Sequence, residues 1–307
     1  MSGPLAQTLL GATFRNPVLL AGGTCGYGEE LAGLVELDRL GGLVTKSVTP
    51  EPRAGNAAPR VAEFAAGMLN SVGLANVGLD AFRETKLPWL ARQAAGTQVL
   101  VNVAGRTVDE YAAIVEALNA DRGFLGYELN VSCPNVEEGG AVFCHRADLL
   151  SEVVAQCRAA TRRPLVVKLS PNVPDIGEVA ETAVRAGADA LTLVNTMPGL
   201  LFDVSARRAA LGAGPGGVSG PALLPVGVHA VWQASLRVDV PLIGVGGIRS
   251  GVDALQYVLA GARLVQVGTA SFADPRAALR VVKELEDHAR AEGIRSLEEL
   301  IGAGRID

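Results

Sequence analysis

Cys133 closes the stretch Tyr127-Glu128-Leu129-Asn130-Val131-Ser132-Cys133, and Pro134 follows it at once. An apolar-alternating run that is stopped by proline puts the thiol at the C-terminal tip of a strand, where a loop begins. Rigid strand tips position loop-mouth groups well, so such a thiol is a good candidate for chemistry. A free cysteine taken alone is more often an inert buried residue. Two of the four lysines, Lys46 and Lys168, fall at the ends of other apolar runs, although 23 arginines are the ordinary cation of this chain. An ammonium is a compact point charge that fits beside a ring or carboxylate where a guanidinium fork is too large. Asn102, Asn130 and Asn195 mark the same run ends, and Asn70 and Asn76 lie in the segment after the second run. Asparagine is depleted in strands. Its amide offers donors and acceptors together, which suits a flat heterocycle with alternating C=O and N–H groups. The turns Gly246-Gly247 and Gly268-Thr269, with Ser219-Gly220-Pro221 before them, would let backbone N–H groups approach a phosphate closely.

The elements that must position these groups follow a repeated pattern. Apolar runs at Val18–Ala21, Leu43–Lys46, Val99–Ala104, Glu128–Cys133, Val166–Ser170, Leu191–Thr196, Leu242–Gly247 and Leu264–Thr269 read as strands buried on both faces. Amphipathic stretches such as Val108–Leu118, Leu149–Ala160, Ile176–Ala186 and Val252–Leu259 separate them. Strand alternating with helix implies parallel pairing through right-handed crossovers. Eight such units predict a (β/α)8 TIM barrel in a single domain spanning 1–307, with an open doubly wound sheet as the alternative. The Gly/Pro-rich stretch Gly212–Pro221 reads as a long loop between the sixth and seventh strands.

Composition excludes several classes. A net charge of −5 argues against a nucleic-acid partner. No apolar run reaches the ~18 residues of a membrane span. The N-terminus carries no secretory pattern, which predicts a cytoplasmic protein with free thiols. Cys25, Cys133, Cys144 and Cys157 form no C-x-x-C pair, and His145, His229 and His288 are widely spaced, so no metal site is expected.

Four motifs occur jointly and in order: Thr45-Lys46-Ser47-Val48-Thr49, Asn70-Ser71-Val72-Gly73-Leu74, Glu128-Leu129-Asn130-Val131-Ser132-Cys133-Pro134-Asn135 and Gly246-Gly247-Ile248. With them the chain resembles, over nearly its full length, the class 1 dihydroorotate dehydrogenases, FMN enzymes on a (β/α)8 barrel. Ala21-Gly22-Gly23-Thr24 with Gly26-Tyr27-Gly28, then Val136-Glu137-Glu138-Gly139-Gly140, then Gly217-Val218-Ser219-Gly220-Pro221-Ala222 resemble type 1B. That type is a catalytic subunit which pairs with an iron–sulfur flavoprotein subunit and passes electrons to NAD. The resemblance implies FMN on this chain. It implies FAD and a 2Fe–2S cluster on a partner, in a heterotetramer of two catalytic and two electron-transfer chains. It implies oxidation of dihydroorotate to orotate in pyrimidine biosynthesis, with Cys133 as general base. The implied FMN contacts are Gly22, Lys46, Ser47, Asn102, Asn130, Lys168, Val194, Gly220, Gly246, Gly247, Gly268 and Thr269. The implied substrate contacts are Lys46, Asn70, Ser71, Val72, Gly73, Leu74, Asn130, Asn195 and Thr196. Gly22 and Cys25 depart from the family's usual Ser and Phe. A fumarate-linked class 1A enzyme and a dihydropyrimidine dehydrogenase-type barrel are the alternatives.

Overall fold

Short runs of Val, Leu and Ile bury both faces when helices cover one side and a barrel interior fills the other. The computed structural model, which describes residues 3–132 and 140–305, contains eight such strands. They are β1 (Val18–Leu20), β2 (Gly42–Val44), β3 (Gln98–Val103), β4 (Gly126–Asn130), β5 (Leu165–Leu169), β6 (Ala190–Leu193), β7 (Leu242–Val245) and β8 (Ala262–Val267). Each pairs in parallel with its sequence neighbour, and β8 returns to β1 through Val265↔Val18 and Gln266↔Leu19. The sheet is therefore a closed barrel, and the open-sheet alternative falls.

Helices begin where the sequence supplies caps. Thr107 accepts from Glu110 N to start Val108–Leu118 after β3. Asp175 accepts from Gly177 and Glu178 to start Ile176–Arg185 after β5. Ser250 and Asp253 form a reciprocal capping box at Gly251–Leu259 after β7. The interior below the mouth is filled by Leu19, Val44, Leu100, Val166, Ala190, Ile243 and Leu264. A hairpin of Gln7–Leu9 and Ala12–Phe14 closes that end, with Phe14 fully buried against the same cluster. Such burial contributes about 1.5–3 kcal/mol for one large apolar side chain.

The other end carries a layer that the apolar pattern does not predict. Val61–Phe64, Gly67–Asn70, Gly216–Ser219 and Met197–Gly199 form a four-stranded antiparallel sheet over the mouth. The stretch Gly212–Pro221 is thus not simply a loop, since Gly216–Ser219 is the strand that joins two hairpin arms. Gly217↔Asn70 and Val218↔Leu69 tie it to the segment after β2. No helix among the described residues is long and apolar enough to cross a membrane.

Candidate active site

The C-terminal ends of the strands surround a cavity of about 550 Å³, within the range of small-molecule sites. Lys168 enters from the penultimate position of β5 and Lys46 from just beyond β2. Lys168 is only 7% exposed. Among the described residues neither ammonium makes a side-chain hydrogen bond or ion pair. A buried charge without a partner is costly, so Lys168 calls for an electron-rich ligand, and the half-buried Lys46 stands at the same cavity. Val194 and Thr196 also line the cavity beside Asn195.

The asparagines form one hydrogen-bonded series along its wall. Ser47 Oγ donates to Asn102 Oδ1 and accepts from Asn130 Nδ2 at 3.4 Å. Asn130 Oδ1 accepts from Asn195 Nδ2 at 3.4 Å, and Asn195 Nδ2 also donates to Ser132 Oγ at 2.9 Å. Thr196 N donates to Asn195 Oδ1 at 2.8 Å. Below this wall Glu128, fully buried, accepts from Asn102 Nδ2, Thr192 Oγ1 and Gln266 Nε2, each at 2.8 Å. Tyr111 Oη donates to Asn130 O at 2.7 Å and holds the end of β4 from outside.

Asn70, Val72, Gly73 and Leu74 line the cavity from the cap. Gly73 and Leu74 both have left-handed backbones, with φ of 73° and 54°. A Cβ on Gly73 would also lie 2.3 Å from Asn56 Oδ1, so glycine is required there. Two polar residues of this segment do not line the cavity. Ser71 is buried off the cavity wall, and its hydroxyl accepts from Asn56 Nδ2 at 2.8 Å. Asn76 is a turn brace, accepting from Gly78 N at 2.8 Å and donating to Thr49 Oγ1 at 2.7 Å.

The opposite end of the cavity is built from Gly220, Gly246, Gly247, Gly268 and Thr269. Gly247 has φ of 73°, and a Cβ there would lie 2.7 Å from Leu224 N. The turn therefore packs against the start of helix Leu224–Ser235 and leaves backbone N–H groups as its polar surface. Tyr257 supports this turn from beneath, donating to Gly246 O at 2.7 Å. Gly227 and Gly244 make room for its ring, and burial raises its phenol far above the ordinary range. The sequence alone gives Tyr257 no distinction, because one aromatic in an amphipathic helix looks like core.

The residues fit a flavin mononucleotide. Glycine turns at one end suit its phosphate, while amides and the ammonium of Lys168 at the other suit its ring edge. Gly22 sits where a Cβ would come within 3.2 Å of Thr45 O and Val44 Cγ1. The usual serine would press on these atoms, so the contact expected from residue 22 is left to its backbone.

Cys133 lies outside the described residues. The other three thiols are buried, and burial pushes each up to about 12. Cys25 Sγ also donates to Val44 O at 3.2 Å. A raised thiol value means the protonated, unreactive form at neutral and mildly alkaline pH. Iodoacetamide at pH 8 is expected to leave Cys25, Cys144 and Cys157 of the native protein unmodified. Peptide mapping by mass spectrometry checks this, and rapid alkylation of any of the three would contradict the burial.

Comparison with known proteins agrees with this geometry. The family profile described as dihydroorotate dehydrogenase matches residues 4–288. A Geobacter metallireducens protein named dihydroorotate dehydrogenase B (NAD(+)), catalytic subunit is 48% identical over 98% of both chains. A Trichlorobacter lovleyi protein of the same name is 48% identical over 94% of both. A Solibacter usitatus protein, provisionally named dihydroorotate dehydrogenase A (fumarate), is 49% identical over 98% of this chain and 99% of its own. The crystal structure of the Eimeria tenella enzyme with ferulenol shares the fold, with a TM-score of 0.82 at 24% identity over 97% of this chain and 88% of its own. Profile, full-length identity and a barrel mouth built for a flavin together place this chain in the dihydroorotate dehydrogenase family.

Proposed function

We propose that this chain, acting as one FMN-binding domain over residues 1–307, oxidises (S)-dihydroorotate to orotate in pyrimidine biosynthesis. The observation that carries the reading is the pair of lysine ammonium groups, Lys46 and Lys168, that reach one amide-lined cavity without side-chain partners among the described residues. Dihydroorotate brings a carboxylate for Lys46 and a ring of alternating C=O and N–H groups for Asn70, Asn130, Asn195 and Thr196. Cys133 takes the proton from C5 as the C5–C6 double bond forms. Bound FMN supplies the two-electron acceptor for the hydride that leaves C6. Lys168 supplies positive field at the ring edge, while Gly220, Gly246, Gly247, Gly268 and Thr269 hold the phosphate. Ser47, Asn102 and Val194 complete the ring contacts, and the strands Gly67–Asn70 and Gly216–Ser219 keep the substrate segment over the mouth.

The electrons pass to NAD through a second subunit carrying FAD and a 2Fe–2S cluster, in a cytoplasmic heterotetramer of two catalytic and two electron-transfer chains. The name catalytic subunit on relatives 48% identical supports a separate partner. This sequence has no cysteine spacing for an iron–sulfur cluster and no strand–Gly-x-Gly-x-x-Gly–helix unit for a dinucleotide. The purified chain is expected to be yellow and to reduce artificial acceptors with dihydroorotate, but not NAD. Steady-state assays with each acceptor test this. Robust NAD reduction by the chain alone would end the partner requirement. Fast turnover with fumarate would instead assign the acceptor named for the Solibacter relative.

A further inference from the structure

We infer that Glu128 is a positioning residue: it fixes the amide of Asn102, and with it the donor–acceptor order of the wall against which flavin and substrate lie. This role depends on the functional reading above only for the ligands used in the test. Glu128 is fully buried in the middle of β4 and forms no ion pair among the described residues. Both its oxygens are occupied, Oε1 by Asn102 Nδ2 and Oε2 by Thr192 Oγ1 and Gln266 Nε2. Gln266 is itself fully buried, and turning its donor to Glu128 leaves its Oε1 without a partner among the described residues.

With Asn102, Thr192 and Gln266 all donating to it, Glu128 acts here only as an acceptor, whereas an amide or hydroxyl can do either. Glu128 therefore sets a direction that its neighbours cannot set for themselves. Because Asn102 must turn Nδ2 down to Glu128, it turns Oδ1 to Ser47, and Ser47 must donate. Ser47 Oγ then accepts from Asn130, which leaves Asn130 Oδ1 toward Asn195. At the far end the Thr196 backbone N–H, which only donates, fixes Asn195 in the matching sense. An acceptor-only group at the bottom and a donor-only group at the top thus prescribe one polarity for the whole series.

The pair Asn102–Glu128 can be tested by exchange. In Asn102→Asp two carboxylates face each other in a buried site, and like charges there disfavour the fold of the wall. In the double variant Asn102→Asp/Glu128→Gln, the amide introduced at position 128 donates to the carboxylate introduced at position 102. Its oxygen still accepts from Thr192 and Gln266, so every bond is restored with the charge moved up one position. We expect Asn102→Asp to weaken orotate binding to the holoenzyme at least tenfold and to release FMN on dilution. The exchange variant should bind orotate at least fivefold more tightly than Asn102→Asp, while staying short of wild type because position 102 also faces the flavin ring. Orotate affinity is read from the perturbation of the flavin absorbance, and FMN release from the gain of free-flavin fluorescence. An unimpaired Asn102→Asp, or an exchange variant as weak as Asn102→Asp in soluble yellow form, overturns the inference. If these variants do not fold, a neutron structure of the wild-type holoenzyme decides, and Asn102 Oδ1 facing Glu128 overturns it. Absence of orotate binding by the wild-type protein would instead count against the functional reading itself.

Discussion

Replacing Cys133 with alanine is expected to slow reduction of the bound flavin by dihydroorotate about 10²–10⁴-fold, the usual contribution of a positioned general base. The variant should remain yellow and bind orotate, because all but one of the groups proposed to hold FMN and substrate, Asn130 excepted, lie on other strand ends and their loops. Cys133→Ser should be nearly as slow near neutrality, since a hydroxyl is a much weaker acid, and should gain activity as pH rises. An ordinary thiol ionises near 8.5, so the wild-type reduction rate should also climb with pH across the mildly alkaline range. The other three thiols cannot take over the role, being held protonated by burial. Anaerobic stopped-flow absorbance at the flavin band measures this directly. A rate within a few-fold of wild type in Cys133→Ala would remove the thiol from the mechanism.

Lys168→Met should have the second largest effect. Methionine fills nearly the same volume without the charge, so β5 should stay packed while the ring edge loses its cation. One charge at ~4 Å and an effective dielectric near 20 is worth about 4 kcal/mol. For a two-electron couple that sets a ceiling of roughly 90 mV on the fall in midpoint potential. FMN should also bind more weakly. A potentiometric titration of the variant with FMN retained is the measurement. An unchanged potential would place Lys168 beyond the reach of the flavin and leave its burial without an electrostatic purpose.

The barrel was legible because its strands are buried on both faces and read as continuous apolar runs. Val166-Val167 in β5 and Leu264-Val265 in β8 announce themselves in this way. The lysines and asparagines at the strand ends were legible for the complementary reason, as polar residues placed where an apolar run stops. The four-stranded cap was not. Its strands are three or four residues long, Val61–Phe64 is half-exposed, and Gly216–Ser219 is half glycine. Their partners lie far away in sequence, so no local period betrays them. Glu128 was visible as a charge inside an apolar strand, yet only the folded barrel brings Thr192 and Gln266 to the same two oxygens. Ser71 and Asn76 share a motif with cavity residues, but a segment with left-handed turns sends alternate side chains to different places.

The cap joins residues that leave the ribosome far apart in time. Asn70 Nδ2 donates to Gly217 O across 147 positions. At about 5–20 residues per second, roughly 7–30 s of synthesis separate the two halves of that sheet. The residue that closes the ring, Val265 beside Val18, emerges later still. A nascent chain therefore offers neither a roofed mouth nor both glycine turns until nearly all of it has been made. Cofactor capture is thereby confined to a late step, and the contacts that shelter the site are among the most non-local in the protein.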